Sequence, residues 1–218
     1  MELGRLADAR FEAVIFDMDG TLINSIPSVE RSWRAWANEF ELTEAQIAGF
    51  HGVPVQEIVR QLVPDLDRDR AYARIVEIEL ADVEDIVVLP GAAEALAVLK
   101  EAKNAIATSC TTALAKVRIA SAGLAAPTII VTADDVSRGK PHPDPFLLAA
   151  RRLDVDPRRC LVVEDAPSGL QGARAAGCFS LAVLTTTARD ALHADAIVHD
   201  LADVEFTVTA DGIAVQPA

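Results

Sequence analysis

Two carboxylates, Asp17 and Asp19, stand two residues apart at the end of Ala13-Val14-Ile15, an apolar run that reads as a buried strand. Gly20 permits a sharp backbone turn and Thr21 adds a hydroxyl. Thr108 and Ser109 close a second apolar run, Ala105-Ile106-Ala107, and Glu164 and Asp165 close a third, Cys160-Leu161-Val162-Val163. Lys140 lies in Ser137-Arg138-Gly139-Lys140-Pro141-His142-Pro143, just before a helix. Taken singly, each has an ordinary structural explanation. Asp, Gly and Glu-Asp are at home in turns, Thr108 suits a helix N-cap, and most lysines are solvated. Taken together, carboxylates, a hydroxyl and a lysine at several strand ends form one coherent site. Oxygen ligands with some retained water suit Mg²⁺, a hard cation. Lys140 and Mg²⁺ would supply the positive charge that an anionic substrate needs.

The elements around these residues predict how they meet. A strand at about 13–17 follows a short lead-in, residues 1–12, expected to be partly mobile. The next stretch reads as helical only, with no strand between residues 24 and 85. Ser25 and Pro27 start a first helix, whose stripe is Val29, Trp33, Trp36 and Phe40. Thr43 and Gln46 form a capping-box pattern before a second. His51-Gly52 breaks it, Pro54 opens a third, and Asp67 caps a fourth that carries Tyr72, Ile75, Val76, Leu80 and Val83. Beyond Val87 strands and helices alternate: a helix over 92–102, a strand over 105–107, a helix over 112–121 stopped by Gly123, a strand over 128–131 and a helix over 143–153. A strand over 160–163, a helix over 167–176 stopped by Gly177, and strands over 179–184 and 196–198 come next. A hairpin, 205–209 with 213–215, turns at Ala210-Asp211-Gly212.

That alternation implies an α/β fold, a doubly wound parallel sheet covered on both faces. Ligands in such folds bind outside the carboxyl ends of the strands, where Asp17, Asp19, Thr108 and Asp165 fall. The first crossover is about ninety residues long, where a dozen or two suffice. The simplest account is an inserted helical domain at 24–86 over a core of 1–23 and 87–218.

Composition narrows the function classes. The chain has 218 residues, 51% of them apolar, so a core of real size is available. Its formal net charge of -13 argues against sequence-independent nucleic-acid binding, which depends on Lys and Arg neutralising phosphates. No apolar run is long enough for a membrane span, and the start Met1-Glu2-Leu3-Gly4-Arg5 has no apolar signal core. Cys110, Cys160 and Cys178 are odd in number and widely spaced, and read as reduced thiols of a cytoplasmic protein. A monomer is the default expectation.

Asp17-Met18-Asp19-Gly20-Thr21, Thr108, Lys140 and Glu164-Asp165 resemble, in order, the four motifs of the haloacid dehalogenase superfamily. The resemblance covers essentially the whole chain, and the helical insertion corresponds to that family's cap domain. Pro27 to Trp33, His51-Gly52, Gly139 to Pro143 and Val163 to Gly169 are most similar to bacterial sugar phosphatases and to 2-deoxyglucose-6-phosphate and glycerol-3-phosphate phosphatases. One departure is Asn24, before Ser25, where Asp-Ser is common; it is not a catalytic position.

The resemblance implies hydrolysis of a small phosphorylated metabolite through an aspartyl-phosphate. Asp17 would be the nucleophile, since a carboxylate can carry such an intermediate. Asp19 would protonate the leaving oxygen and later deprotonate water, while Asp17 stays ionised. Mg²⁺ would be held by Asp17, the Asp19 backbone carbonyl and Asp165, with Glu164 acting through water or by pairing with Lys140. Thr108, Lys140 and backbone N–H groups near Met18, Asp19 and Ser109 would hold the phosphoryl oxygens. In the cap, His51 and Gly52 are the candidates for contacting the rest of the substrate. Glu77 and Glu79 would bind hydroxyls or form a solvated helix face, and Trp33 and Trp36 read as cap core.

Three rivals remain at this point. A phosphomutase of the β-phosphoglucomutase type would use the same core site. A dehalogenase would need neither the Asp19 proton nor Mg²⁺, against the complete Asp17/Asp19/Asp165 set. A catalytically silent binding protein would not need intact motifs.

Overall fold

The computed structural model describes residues 3–47 and 55–218. Its centre is a six-stranded sheet, entirely parallel, built from β1 (Ala13–Phe16), β4 (Lys103–Ala107), β5 (Ile129–Val131), β6 (Cys160–Glu164), β7 (Phe179–Val183) and β8 (Ala196–Val198). The strand order is β5-β4-β1-β6-β7-β8, so β1 lies between β4 and β6. Its four residues are all buried because both faces of the sheet are covered. Val14 and Phe16 point into one apolar cluster with Ile106, Leu161, Val163 and Leu181. Ala13 and Ile15 point into the other, with Ala105, Val162 and Phe146.

The crossover helices occupy the two faces. α5 (Ala92–Val98) and α6 (Thr112–Ala122) bring Ala95, Leu96, Leu114 and Ala115 to the first cluster. α7 (Asp144–Leu153) and α8 (Pro167–Ala176) bring Phe146, Ala149, Leu153 and Ala173 to the second. α5 stops four residues before the expected end at 102. The Asn104 amide donates to the carbonyls of Leu99 (2.7 Å) and Ala102 (2.9 Å), taking acceptors that a longer helix would need. The hairpin forms from β9 (Val204–Thr209) and β10 (Gly212–Pro217).

The lead-in is not loose. Leu3, Leu6 and Phe11 are buried in the first cluster, and Phe11 exchanges backbone hydrogen bonds with Ile213 of the hairpin. Expecting mobility there overlooked an apolar spacing too short to read as a helix or a strand.

Between β1 and β4 the chain forms α1 (Ile26–Glu39), α2 (Glu44–Ile47), α3 (Val55–Leu62) and α4 (Arg68–Ala81). They pack round their own cluster, Trp36, Ala37, Val59, Val63, Ala71 and Ile75, with Trp33 against it. Trp36 is fully buried and donates its indole N–H to the Ala71 carbonyl at 2.8 Å, so both tryptophans serve packing. The helical segment leaves and rejoins the sheet domain through an antiparallel ribbon, β2 (Ile23–Asn24) with β3 (Val87–Val88). Asn24 is therefore in a strand, contrary to the sequence reading. Two residues carry no periodicity from which to see it.

Candidate active site

β1 ends because the chain must turn over the sheet edge. The Asp17 N–H still donates to the Val163 carbonyl at 2.9 Å, continuing the pairing with β6. The Met18 carbonyl then accepts from the N–H groups of Leu22 (2.9 Å) and Ile23 (3.0 Å), and Gly20 takes a left-handed conformation with φ +87°. A side chain at Gly20 would run into the Asp165 carboxylate. Glycine here is a requirement of both the turn and the site. Met18 itself is buried in the first apolar cluster, so only its backbone faces the site side of this turn.

Asp17 and Asp165 come from adjacent strand ends, and Lys140 reaches them from the loop before α7. The Lys140 ammonium donates to Asp17 and, at 2.7 Å, to Glu164 Oε1. Glu164 is held by its other oxygen, which accepts the backbone N–H groups of Asp165 and Ala166, both at 2.8 Å. Gly169 leaves the room that this carboxylate fills. Asp165 accepts from the Thr186 hydroxyl and from Thr21 at 3.4 Å. Asp17, Lys140, Glu164 and Asp165 are all buried.

Among the described residues, the carboxylate oxygens of Asp17, Glu164 and Asp165 lie within 4.8 Å of one another. One ammonium thus serves a group of three buried acids, bonding Asp17 and Glu164 but not Asp165. Burial raises Asp17 to about 7, Lys140 offsetting part of that rise and Glu164 adding to it. Asp165 is raised well above the usual range by burial and by Glu164 and Asp17. Burial opposes the charge on Lys140, yet Asp17 and Glu164 outweigh it and hold the ammonium firmly protonated. An all-oxygen donor set fits a hard divalent cation.

Asp19 faces elsewhere. Its Oδ1 accepts from the Ser25 hydroxyl at 2.6 Å and from Arg118 Nη1 at 3.1 Å, and its Oδ2 accepts from the Cys110 thiol at 3.0 Å. Burial and Asp19 push Cys110 up, so it remains a thiol able to donate. Ser25 does stand at the N-cap of α1, but its side chain serves Asp19 and makes no cap bond.

Thr108 is buried at the end of β4. Its N–H donates to Val131 and its hydroxyl accepts from the Cys110 N–H at 3.1 Å. The N-cap of α6 is Thr111, which removes the capping explanation for Thr108. Ser109 is exposed beside it. His51 and Gly52 lie outside the described residues. Glu77 is exposed and pairs with Arg74 at 2.7 Å. Glu79 is buried and pairs with Arg118 at 3.3 Å, so the solvated-face expectation fails for it.

The sequence reading missed Arg118, Cys110 and Thr186. Arg118 carried a signal: it falls three and four positions after Ala115 and Leu114, in register with the buried stripe of α6. A charge on that stripe needs a partner.

A family model of haloacid dehalogenase-like hydrolases matches residues 11–177. The chain is 38% identical to hexitol phosphatase A of Escherichia coli over 93% of this chain and 97% of that one. It is 34% identical to the fructose-1-phosphate phosphatase YqaB of the same organism, over 77% and 94% of the two chains. The crystal structure of a putative β-phosphoglucomutase from Thermotoga maritima superposes with a TM-score of 0.68 at 30% identity, over 88% of this chain and 95% of that one. The chain belongs to the haloacid dehalogenase-like hydrolase family and is a phosphatase within it.

Proposed function

We propose that this phosphatase hydrolyses a small sugar or polyol phosphate, with Mg²⁺, through a phosphoryl group carried on Asp17. The observation that carries the reading is the buried set of Asp17, Glu164 and Asp165 around Lys140, with Asp19 two residues from Asp17. The two Escherichia coli relatives support the substrate class. Residues 24–86 act as a cap over a core formed by 1–23 and 87–218, and His51 and Gly52 in the cap contact the substrate beyond its phosphate. The small metabolite is the partner, and the protein works as a cytoplasmic monomer.

Asp17, Asp165 and the Asp19 carbonyl, with Glu164 alongside, would hold Mg²⁺, which would supply charge that offsets the anionic phosphoryl group. Lys140, Thr108 and the backbone N–H groups near Met18, Asp19 and Ser109 hold the phosphoryl oxygens. An Asp17 oxygen forms a bond to phosphorus as the bond to the leaving oxygen breaks, and Asp19 gives that oxygen its proton. Water then attacks the phosphorus, Asp19 takes the water's proton, and the Asp17–phosphorus bond breaks to release phosphate. The chemistry rests on positioning and electrostatics, as phosphoryl transfer generally does.

The deciding experiment is a screen of phosphorylated metabolites with Mg²⁺, ranked by kcat/KM. Hexitol and hexose phosphates are expected at the top, and no release of phosphate from any monoester would sink the reading. The structural likeness to a putative β-phosphoglucomutase supports a second reading, a phosphomutase. Glucose 6-phosphate formed from β-glucose 1-phosphate would favour it.

A further inference from the structure

The Arg118 side chain is buried, with 3% of the residue exposed, and it lies between two carboxylates from different parts of the chain. Nη1 donates to Asp19 at 3.1 Å and to the Cys110 sulfur at 3.2 Å. Nη2 donates to Glu79 of α4 at 3.3 Å. The third nitrogen, Nε, is buried without a partner among the described residues. Leaving a buried donor unmade is unfavourable, so the guanidinium is oriented by its two carboxylates at the expense of its own full hydrogen bonding. Burial works against the charge on Arg118, but Asp19 and Glu79 outweigh it and keep the cation fixed. Burial also raises Glu79, which Arg118 partly offsets.

We propose that Arg118 is a positioning residue for Asp19, aimed by Glu79 of the helical segment. This inference rests on the proton-transfer role assigned to Asp19 above. The geometry supports it in three respects. A guanidinium is planar, so a partner on one nitrogen fixes the direction of the others. Ser25, Cys110 and Arg118 approach Asp19 on both its oxygens, which leaves its carboxylate little rotational freedom. Glu79 has no other ionic partner among the described residues, so its pairing with Arg118 is its one charge contact. The helical segment therefore reaches Asp19 through the buried Glu79–Arg118 pair as well as through Ser25 at the start of α1.

The test is kcat/KM for p-nitrophenyl phosphate and for phenyl phosphate, whose leaving group needs protonation more. Misplacing a reacting group by about 1 Å can cost ~10²-fold, so Arg118→Met is expected to reduce phenyl phosphate hydrolysis by about that factor. The loss for p-nitrophenyl phosphate should be much smaller. Glu79→Gln should act in the same direction with a smaller loss. The double variant should be no worse than Arg118→Met, and Arg118→Met should add nothing to Asp19→Asn. Thermal unfolding of each variant establishes that it is folded. If Arg118→Met does not fold, Arg118→Lys and Glu79→Gln carry the same comparison. Equal losses for both esters, additive effects of Arg118 and Glu79, or a further loss in the Asp19→Asn background would each overturn the proposal. If Asp19→Asn itself shows no leaving-group dependence, the role of Asp19 is what fails.

Discussion

The two carboxylates of the Asp17-x-Asp19 turn live in different settings. Asp17 joins Lys140, Glu164 and Asp165, all presented by the ends of neighbouring strands or the loops beyond them, and all part of one sheet domain. Asp19 joins Ser25, Cys110 and Arg118, and through Arg118 it meets Glu79 of the inserted helices. The first cluster sets three buried acids round one lysine, an all-oxygen set that fits a hard cation. The second already holds a cation of its own, Arg118, between its two carboxylates. On the proposed mechanism, two residues of sequence separate a site for a metal and a covalent bond from a site for moving a proton. Differing surroundings are how neighbouring carboxylates take different tasks.

The strongest way to break this contrast is Asp17→Asn. An amide cannot carry the transferred phosphoryl group, so turnover should fall to background in a folded protein. Near-normal release of phosphate, measured with Mg²⁺ present, would remove Asp17 as the nucleophile. Asp19→Asn should be milder and selective. General acid–base assistance is typically worth ~10²–10⁴-fold, and kcat/KM should fall further for a sugar phosphate than for p-nitrophenyl phosphate. An equal fall for both would give the two aspartates the same kind of role.

The metal reading sharpens the contrast through stability. In the metal-free protein Asp17 is raised by burial from 3.8 to about 7, so between those values the folded state keeps a proton that the unfolded chain has released. Its contribution to stability is thus present below about 3.8 and is lost as the pH rises through about 7. A cation that needs the ionised carboxylates displaces that proton and binds more tightly at higher pH. Saturating Mg²⁺ should therefore raise Tm more at pH 7.5 than at pH 5.5, and a rise independent of pH would remove Asp17 from the cation site. Chelation should abolish activity in parallel, with Mg²⁺ restoring it.

The smallest expected effect separates two neighbours on α4. Glu77 is exposed and pairs with Arg74, whereas Glu79 is buried against Arg118. Exposed pairs contribute little, so Glu77→Ala should leave kcat/KM and Tm within experimental error. A clear loss of activity would show that the outer face of α4 takes part in function.

The parallel order of the strands and the groups at their ends were legible because local pattern determines both. A run such as Cys160-Leu161-Val162-Val163 is buried on both faces, and the residues just after it must emerge at the sheet's carboxyl edge. Asp17, Thr108, Glu164 and Asp165 were read as strand-end groups this way, and the helical stretch after β1 was read from the length of the first crossover; Lys140 was read from the loop before α7. Trp33 and Trp36 were assigned to packing on helical spacing alone. The β2–β3 ribbon and the packed lead-in were too short to leave a period.

What the sequence determined by itself is the identity of the strand-end groups and the chemistry those residue types permit. Only the tertiary structure decided that Asp19 turns away from Lys140 towards Arg118, that Cys110 and Ser25 complete its surroundings, and that Glu79 is buried while Glu77 is not. Those contacts join residues up to 99 positions apart. They depend on the depth at which α4 and α6 pack, which no local pattern of apolar and polar residues encodes.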